Sequence, residues 1–171
     1  PHRLVETLVE STGRPFYAIK EILGNLDHPQ VEKPVLKGHL KLPKGIGPMQ
    51  EPHRKYLRSR GFNPKELEKL WGLQGIGLAV RLPWRIWIPI FSRGQVVSWT
   101  TRSLADQGRR YISAKADEEA VSAKTLLYGE DSVRHAVIVA EGPADVWRIG
   151  PGAVATLGIG ISAAKRLKIA S

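Results

Sequence analysis

Glu141 and Asp145 stand four residues apart at the end of an apolar run, in the stretch "VIVAEGPADVW". Val137 to Ala140 reads as a buried strand, which puts Glu141 at its carboxyl end, where open parallel sheets gather their ligands. Gly142 lets the backbone turn beside the acid. Asp145 then falls in the first turn of the following helix, where the helix dipole favours a carboxylate, so helix capping is an alternative reading of this residue. Strand-end acids suit a hard divalent cation such as magnesium, which takes oxygen ligands and keeps several waters. Beside a basic surface, such a cation points to phosphoryl transfer, in which the protein supplies positioning and electrostatics.

The basic surface is expected from composition. Lys and Arg number 26 against 16 Asp and Glu, a formal net charge of +10 over 171 residues. The charge is spread along the chain, so folding has to gather it into one face. A polyanion is the natural partner, and nucleic acid is the usual one. The absence of cysteine excludes disulfides and thiolate zinc sites from this stretch. No apolar run approaches the roughly 20 residues that span a bilayer, and the start carries no signal-peptide pattern. The expectation is a cytoplasmic protein with no membrane partner. Because the chain opens on Pro1, it reads as a piece of something longer.

The elements that must position these groups follow from breakers and periodicity. Residues 1–25 read as a hairpin of two short helices around "STGRP", in the manner of a helix-turn-helix or of a plain structural hairpin. Residues 26–52, interrupted by Pro29, Pro34, Pro43, Pro48 and Pro52 with lysines between, read as an extended basic connector and the best boundary in the chain. "HRKYLRSRGF" predicts a short helix capped at Gly61, and Asn63–Pro64 starts another. "RIWIPIF" and "VVSWTTRSL" predict a hairpin turning through "SRGQ", with Pro89 marking a free edge or a bulge. "RYIS" adds a third strand, and "AVSAKTLLYGED" a helix. "RHAVIVAEG" and "GAVATLG" read as buried strands with helical text between and after them, the signature of a parallel α/β unit. The fold class is therefore α+β / α/β, with a basic subdomain over 53–134 and an α/β unit over 135–171.

The order of motifs resembles a known family. "VIVAEGPADVW…ATLG" is similar to the Toprim fold of DnaG-type primases, topoisomerases and some nucleases, whose first motif is an apolar strand, Glu-Gly, two variable residues and Asp. Glu141, Gly142 and Asp145 match it, and Gly158 resembles the glycine after the second Toprim strand. Upstream, "YLRSRGF" resembles the helix that opens the primase catalytic core, and "WIPIFSRGQVVSWTTRSL" resembles its hairpin. "RRYIS" and "KTLLYGED" resemble its basic strand and its Leu-Tyr-Gly segment. Over residues 53–171 the chain is thus similar to a phage or bacterial DnaG-type primase core, with a primase N-terminal core subdomain (helices plus a small antiparallel sheet) followed by the first half of a Toprim βαβα fold.

The resemblance implies the rest. Glu141 would be the metal-site glutamate or general base, Asp145 its supporting acid, with Mg2+ or Mn2+ as cofactor. Arg60, Arg102 and Arg110 fall where the family has bases facing template or nucleotide, Arg110 in place of a usual lysine. Ser113 takes a polar position, and Lys124 lies one residue from another basic one. Single-stranded DNA template, ribonucleoside triphosphates and a replicative helicase are the implied partners, and primer synthesis is the implied activity. Trp84, Trp87 and Trp99 are candidates for stacking bases or for core. The family's second acidic motif, Asp-x-Asp, is expected beyond Ser171, and zinc belongs to a separate module before the core. The 171-residue chain alone is therefore not expected to make primers. A Toprim nuclease is a weaker match, and the alternative is a non-catalytic module that binds single strands and works with the helicase.

Overall fold

Helix ends show how this sequence fixes its local structure. The computed structural model describes residues 38–158 and 161–170, all within one compact unit spanning Lys33–Ser171. The expected hairpin of residues 1–25, and the connector up to residue 37, lie outside the described residues. Helix α1 (Glu51–Ser59) carries Pro52 in its first turn and closes through Gly61, whose φ of +77° suits glycine. Gly61 N–H reaches the Arg58 carbonyl at 2.9 Å, and Phe62 N–H reaches that of Leu57 at 3.0 Å. That pair of bonds satisfies carbonyls the helix would otherwise orphan. Helix α2 (Pro64–Trp71) starts as its sequence predicts, with the Asn63 carboxamide oxygen accepting from Lys65 N–H at 3.1 Å.

The helices pack on a five-stranded antiparallel sheet ordered β1 (Ile46–Gly47), β2 (Gln74–Ile76), β3 (Arg85–Ser92), β4 (Gln95–Ser103), β5 (Tyr111–Ser113). Alternation along β3 builds two cores. Ile86, Ile88 and Ile90 face Leu57, Leu67 and Trp71, while Trp87 faces the other way with Ile76, Leu82 and Trp99. Pro89 is tolerated because β2 covers β3 only from Arg85 to Trp87, and a register shift follows between Ile90 and Phe91. The hairpin turns on Arg93 and Gly94, both at positive φ, and the Asp131 carboxylate accepts from both N–H groups at 2.9 and 2.8 Å. Residues 38–50 run along this sheet up to the start of α1, turning at Lys44–Gly45, donating from Lys41 N–H to the Glu118 carbonyl and burying Met49, so the expected connector ends in helix rather than continuing to residue 52.

A parallel pair, β6 (Ile138–Ala140) and β7 (Ala153–Ala155), follows, joined by helix α3 (Pro143–Ile149) and trailed by helix α4 (Ala163–Ala170). Strand β7 is buried, but Ile138 and Val139 are 55% and 41% exposed, contrary to the sequence expectation for this run. An apolar sequence specifies a strand without specifying its cover, and among the described residues β6 pairs on one edge only.

The helix expected over 120–131 is replaced by short 3-10 turns at Ala123–Thr125 and Glu130–Ser132, flanking buried Leu126, Leu127 and Tyr128. The competing interaction is non-local. Tyr128 and Ala155 exchange two backbone hydrogen bonds of 2.9 Å, which holds Tyr128 extended against β7. Gly129 then takes φ +83°, and a Cβ there would sit 2.7 Å from the Ala153 carbonyl oxygen. Gly129→Ala is therefore expected to cost about 3 kcal/mol, combining left-handed strain with a backbone clash. Chemical denaturation measures it, and a loss below about 1 kcal/mol would show that this junction yields.

Candidate functional site

Three elements from the first sheet and its helices meet the α/β unit around one groove of about 430 Å3. Arg102, near the end of β4, lies at its floor and is only 8% exposed. Its Nε donates to the Tyr56 hydroxyl at 2.7 Å and its Nη1 to the Tyr111 hydroxyl at 3.0 Å. The guanidinium carbon also lies 5.9 and 5.1 Å from those two ring centroids. This tyrosine cage fixes the fork while leaving its charge without a carboxylate among the described residues.

Arg110 enters from the loop before β5, and the backbone that carries it is anchored from below. Buried Arg85 donates to the carbonyls of Arg109 and Arg110, each at 2.9 Å, and to Thr101 Oγ1 at 2.8 Å. Burial among these neutral acceptors pulls the Arg85 pKa below its ordinary value. Arg60, exposed at the end of α1, has its carbonyl held by Arg148 Nη2 at 3.2 Å, and Arg148 lies over Phe62 at 4.9 Å. Ser113 lines the same groove and donates to Thr100 Oγ1 at 3.0 Å.

On the opposite side stand the acids. Glu141 is exposed at the tip of β6 and makes no hydrogen bond or ion pair among the described residues. Asp145, in the first turn of α3, accepts from Gly142 N–H through Oδ2 at 3.3 Å. The capping reading thus describes one oxygen of Asp145, and its carboxylate still lines the groove. After β7, Leu157 (φ +59°) and Gly158 (φ +142°) turn the chain along the groove's edge.

Of the residues singled out in the sequence, Glu141, Asp145, Arg60, Arg102, Arg110 and Ser113 converge on this groove, and Lys124 does not. Lys124 lines an adjoining lobe that shares Ser113, Leu157 and Gly158 with it. Two tryptophans proposed for stacking are core instead. Trp99 is fully buried with its Nε1 bonded to the Lys41 carbonyl at 3.0 Å, and Trp87 is buried with no partner for its Nε1. Trp84 is half-buried, its ring 5.8 Å from that of His53. Sequence reading missed Tyr56, Tyr111 and Arg85. Tyr56 sits one turn before Arg60 in "YLRSRG", but nothing local signals that it meets Arg102.

Glu141 and Asp145 offer oxygen donors of the right kind for magnesium. No group of three His, Asp or Glu forms a metal cage among the described residues. Two carboxylates nevertheless fit an ion that completes its shell with water and substrate phosphates, as magnesium commonly does.

No family model matches the chain, and no curated protein matches its sequence. Solved structures do match its fold. The chain is similar to a DnaG catalytic core (TM-score 0.60, 21% identity, covering 72% of this chain and 52% of that one). It is also similar to a DnaG primase catalytic domain bound to single-stranded DNA (TM-score 0.62, 19% identity, 70% and 50% covered). A DNA primase domain from Pseudomonas aeruginosa matches at TM-score 0.57 and 20% identity, with 79% and 53% covered. The chain has the fold of a DnaG-type primase core, mixed helix and antiparallel sheet, and spans about half the length of these structures. No helix among the described residues is long and apolar enough to cross a membrane.

Proposed function

We propose that this chain is the template- and nucleotide-binding part of a DNA primase, which synthesises short RNA primers on single-stranded DNA by metal-dependent nucleotidyl transfer. One observation carries the reading. An unpaired carboxylate, Glu141, faces the same groove as Arg60, Arg102 and Arg110. A structure of similar fold holds single-stranded DNA, which supports the same polyanion here. The β6–α3–β7–α4 arrangement agrees with the first half of a Toprim fold.

In this reading the arginines hold phosphates. Arg102, rigid in its tyrosine cage, offers a planar fork that pairs two oxygens of one phosphate. Arg60 and Arg110 hold the strand by exposed charge, steering it to the groove mouth. Ser113 donates or accepts at the groove wall. Glu141, alone or with Asp145, would hold a magnesium or manganese ion, which supplies positive charge to the reacting phosphate when bound. The primer 3′ hydroxyl oxygen bonds to the α-phosphorus, and the α–β bridging bond breaks with its electrons to the departing pyrophosphate. The hydroxyl proton passes to the Glu141 carboxylate or to solvent.

Arg110→Ala tests the groove directly. Fluorescence anisotropy with a labelled oligothymidylate over a salt series is expected to show several-fold weaker binding. The slope of log K against log salt should fall by about 0.7, the loss of one phosphate contact. An unchanged slope would place the template elsewhere.

A further inference from the structure

Residues 104–110 join β4 to β5, and from Ala105 onward every residue of this loop is exposed. The loop delivers Arg110 to the groove, yet its own hydrogen bonding is sparse. At its ends Leu104 N–H donates to the Trp84 carbonyl at 3.1 Å, Ala105 N–H to Ser103 Oγ at 3.1 Å, and Ser103 N–H to the Arg110 carbonyl at 2.9 Å. From Asp106 to Arg109, the one hydrogen bond among the described residues is the bond that Arg85 Nη2 gives to the Arg109 carbonyl at 2.9 Å. The same nitrogen serves the Arg110 carbonyl at 2.9 Å, so one guanidinium grips two consecutive peptide units beside the groove.

The sheet has no need of this charge. Arg85 is only 6% exposed and meets neutral acceptors, with no carboxylate among the described residues, so its burial carries a desolvation cost. The β3–β4 ladder runs from Arg85–Ser103 to Ser92–Gln95 through backbone pairing. An exposed loop, by contrast, loses conformational freedom when it closes on a ligand, and ordering it beforehand removes that loss from binding. We propose that Arg85 is a positioning residue for the strand track: it does not line the groove, and it holds the β4–β5 loop so that Arg110 meets a phosphate already ordered. The consequence for binding rests on the reading of Arg110 as a phosphate contact, whereas the clamp rests on its own two carbonyl bonds.

The test uses the 171-residue chain, with oligothymidylate anisotropy for affinity and amide 15N relaxation for loop order. Arg85→Met is expected to weaken oligothymidylate about fivefold in the parent background and less than about twofold in the Arg110→Ala background, because residues that act as a unit are not additive. The heteronuclear NOE of residues 105–110 should fall in Arg85→Met while β3 and β4 keep theirs. Arg85→Gln, neutral and too short to reach both carbonyls, carries the same test should Arg85→Met not fold. Equal losses in the two backgrounds would overturn the proposal, since Arg85 would then act on binding independently of Arg110. A loop that stays ordered would overturn the clamp. So would unchanged affinity in the folded Arg85 variant where Arg110→Ala weakens binding. If Arg110→Ala bound like the parent while the Arg85 variant still loosened the loop, the template reading of Arg110 would fall and the clamp would stand.

Discussion

Replacing Glu141 by Gln is expected to lower template-directed ribonucleotide incorporation by the natural protein at least about a thousandfold, while its thermal unfolding stays within about a degree. The two halves of that expectation have separate grounds. Glu141 is exposed and makes no hydrogen bond or ion pair among the described residues, so the fold does not depend on its charge. Surface changes of this kind usually move stability by less than about 0.5 kcal/mol. Its place at the tip of β6, on a groove that also gathers Arg60, Arg102 and Arg110, is the ground for the catalytic role proposed above. Removing one group that stabilises transition-state charge typically costs about a hundred- to a thousandfold, and a metal-binding carboxylate belongs at the upper end. Gln keeps the size and the hydrogen-bonding oxygen, so only charge is lost. Asp145→Asn should do less, because one of its oxygens already serves Gly142 N–H and an amide oxygen can keep that bond. Normal incorporation by Glu141→Gln would remove the catalytic assignment.

How far the sequence could carry this argument depended on whether a feature was set locally or by distant partners. The helix ends at Gly61 and Asn63–Pro64, the hairpin through Arg93–Gly94 and the strand–helix–strand order around Glu141 were all legible, because each is governed by residues within a few positions. The stretch 120–131 was not, since its helical composition yields to a backbone pairing with Ala155. Strand β2 was missed for a related reason. "QGI" is too short to announce itself and exists because β1 and β3 both pair with it. Gly75 within it has no room for a side chain, since a Cβ would sit 2.9 Å from the His53 ring. The groove shows the same division. Spacing pointed to the acids, but the cage around Arg102 joins residues 46 and 9 positions away, and only the register of β4 with β5 sets Tyr111 beside it.

That cage makes Arg102 the position where binding and stability should separate most clearly. Arg102→Met is expected to weaken single-strand binding about a hundredfold, near 2.7 kcal/mol, because it removes a desolvated, pre-oriented fork rather than a mobile surface charge. Stability should remain within about 1 kcal/mol of the parent or rise. Arg102 is 8% exposed and its guanidinium bonds only to neutral hydroxyls, so it carries a desolvation cost that no carboxylate among the described residues offsets, and Met fills much of the same space without it. Tyr56 and Tyr111 are half-buried, so their hydroxyls can turn to water. Arg102→Lys should not rescue binding, since a point charge on a flexible stem cannot pair two phosphate oxygens while holding both tyrosine hydroxyls. Anisotropy with oligothymidylate and urea denaturation measure the two quantities independently. A structural arginine gives the opposite pattern, with several kcal/mol lost from folding and unchanged affinity per folded molecule, and that result would move the phosphate contact off the groove floor.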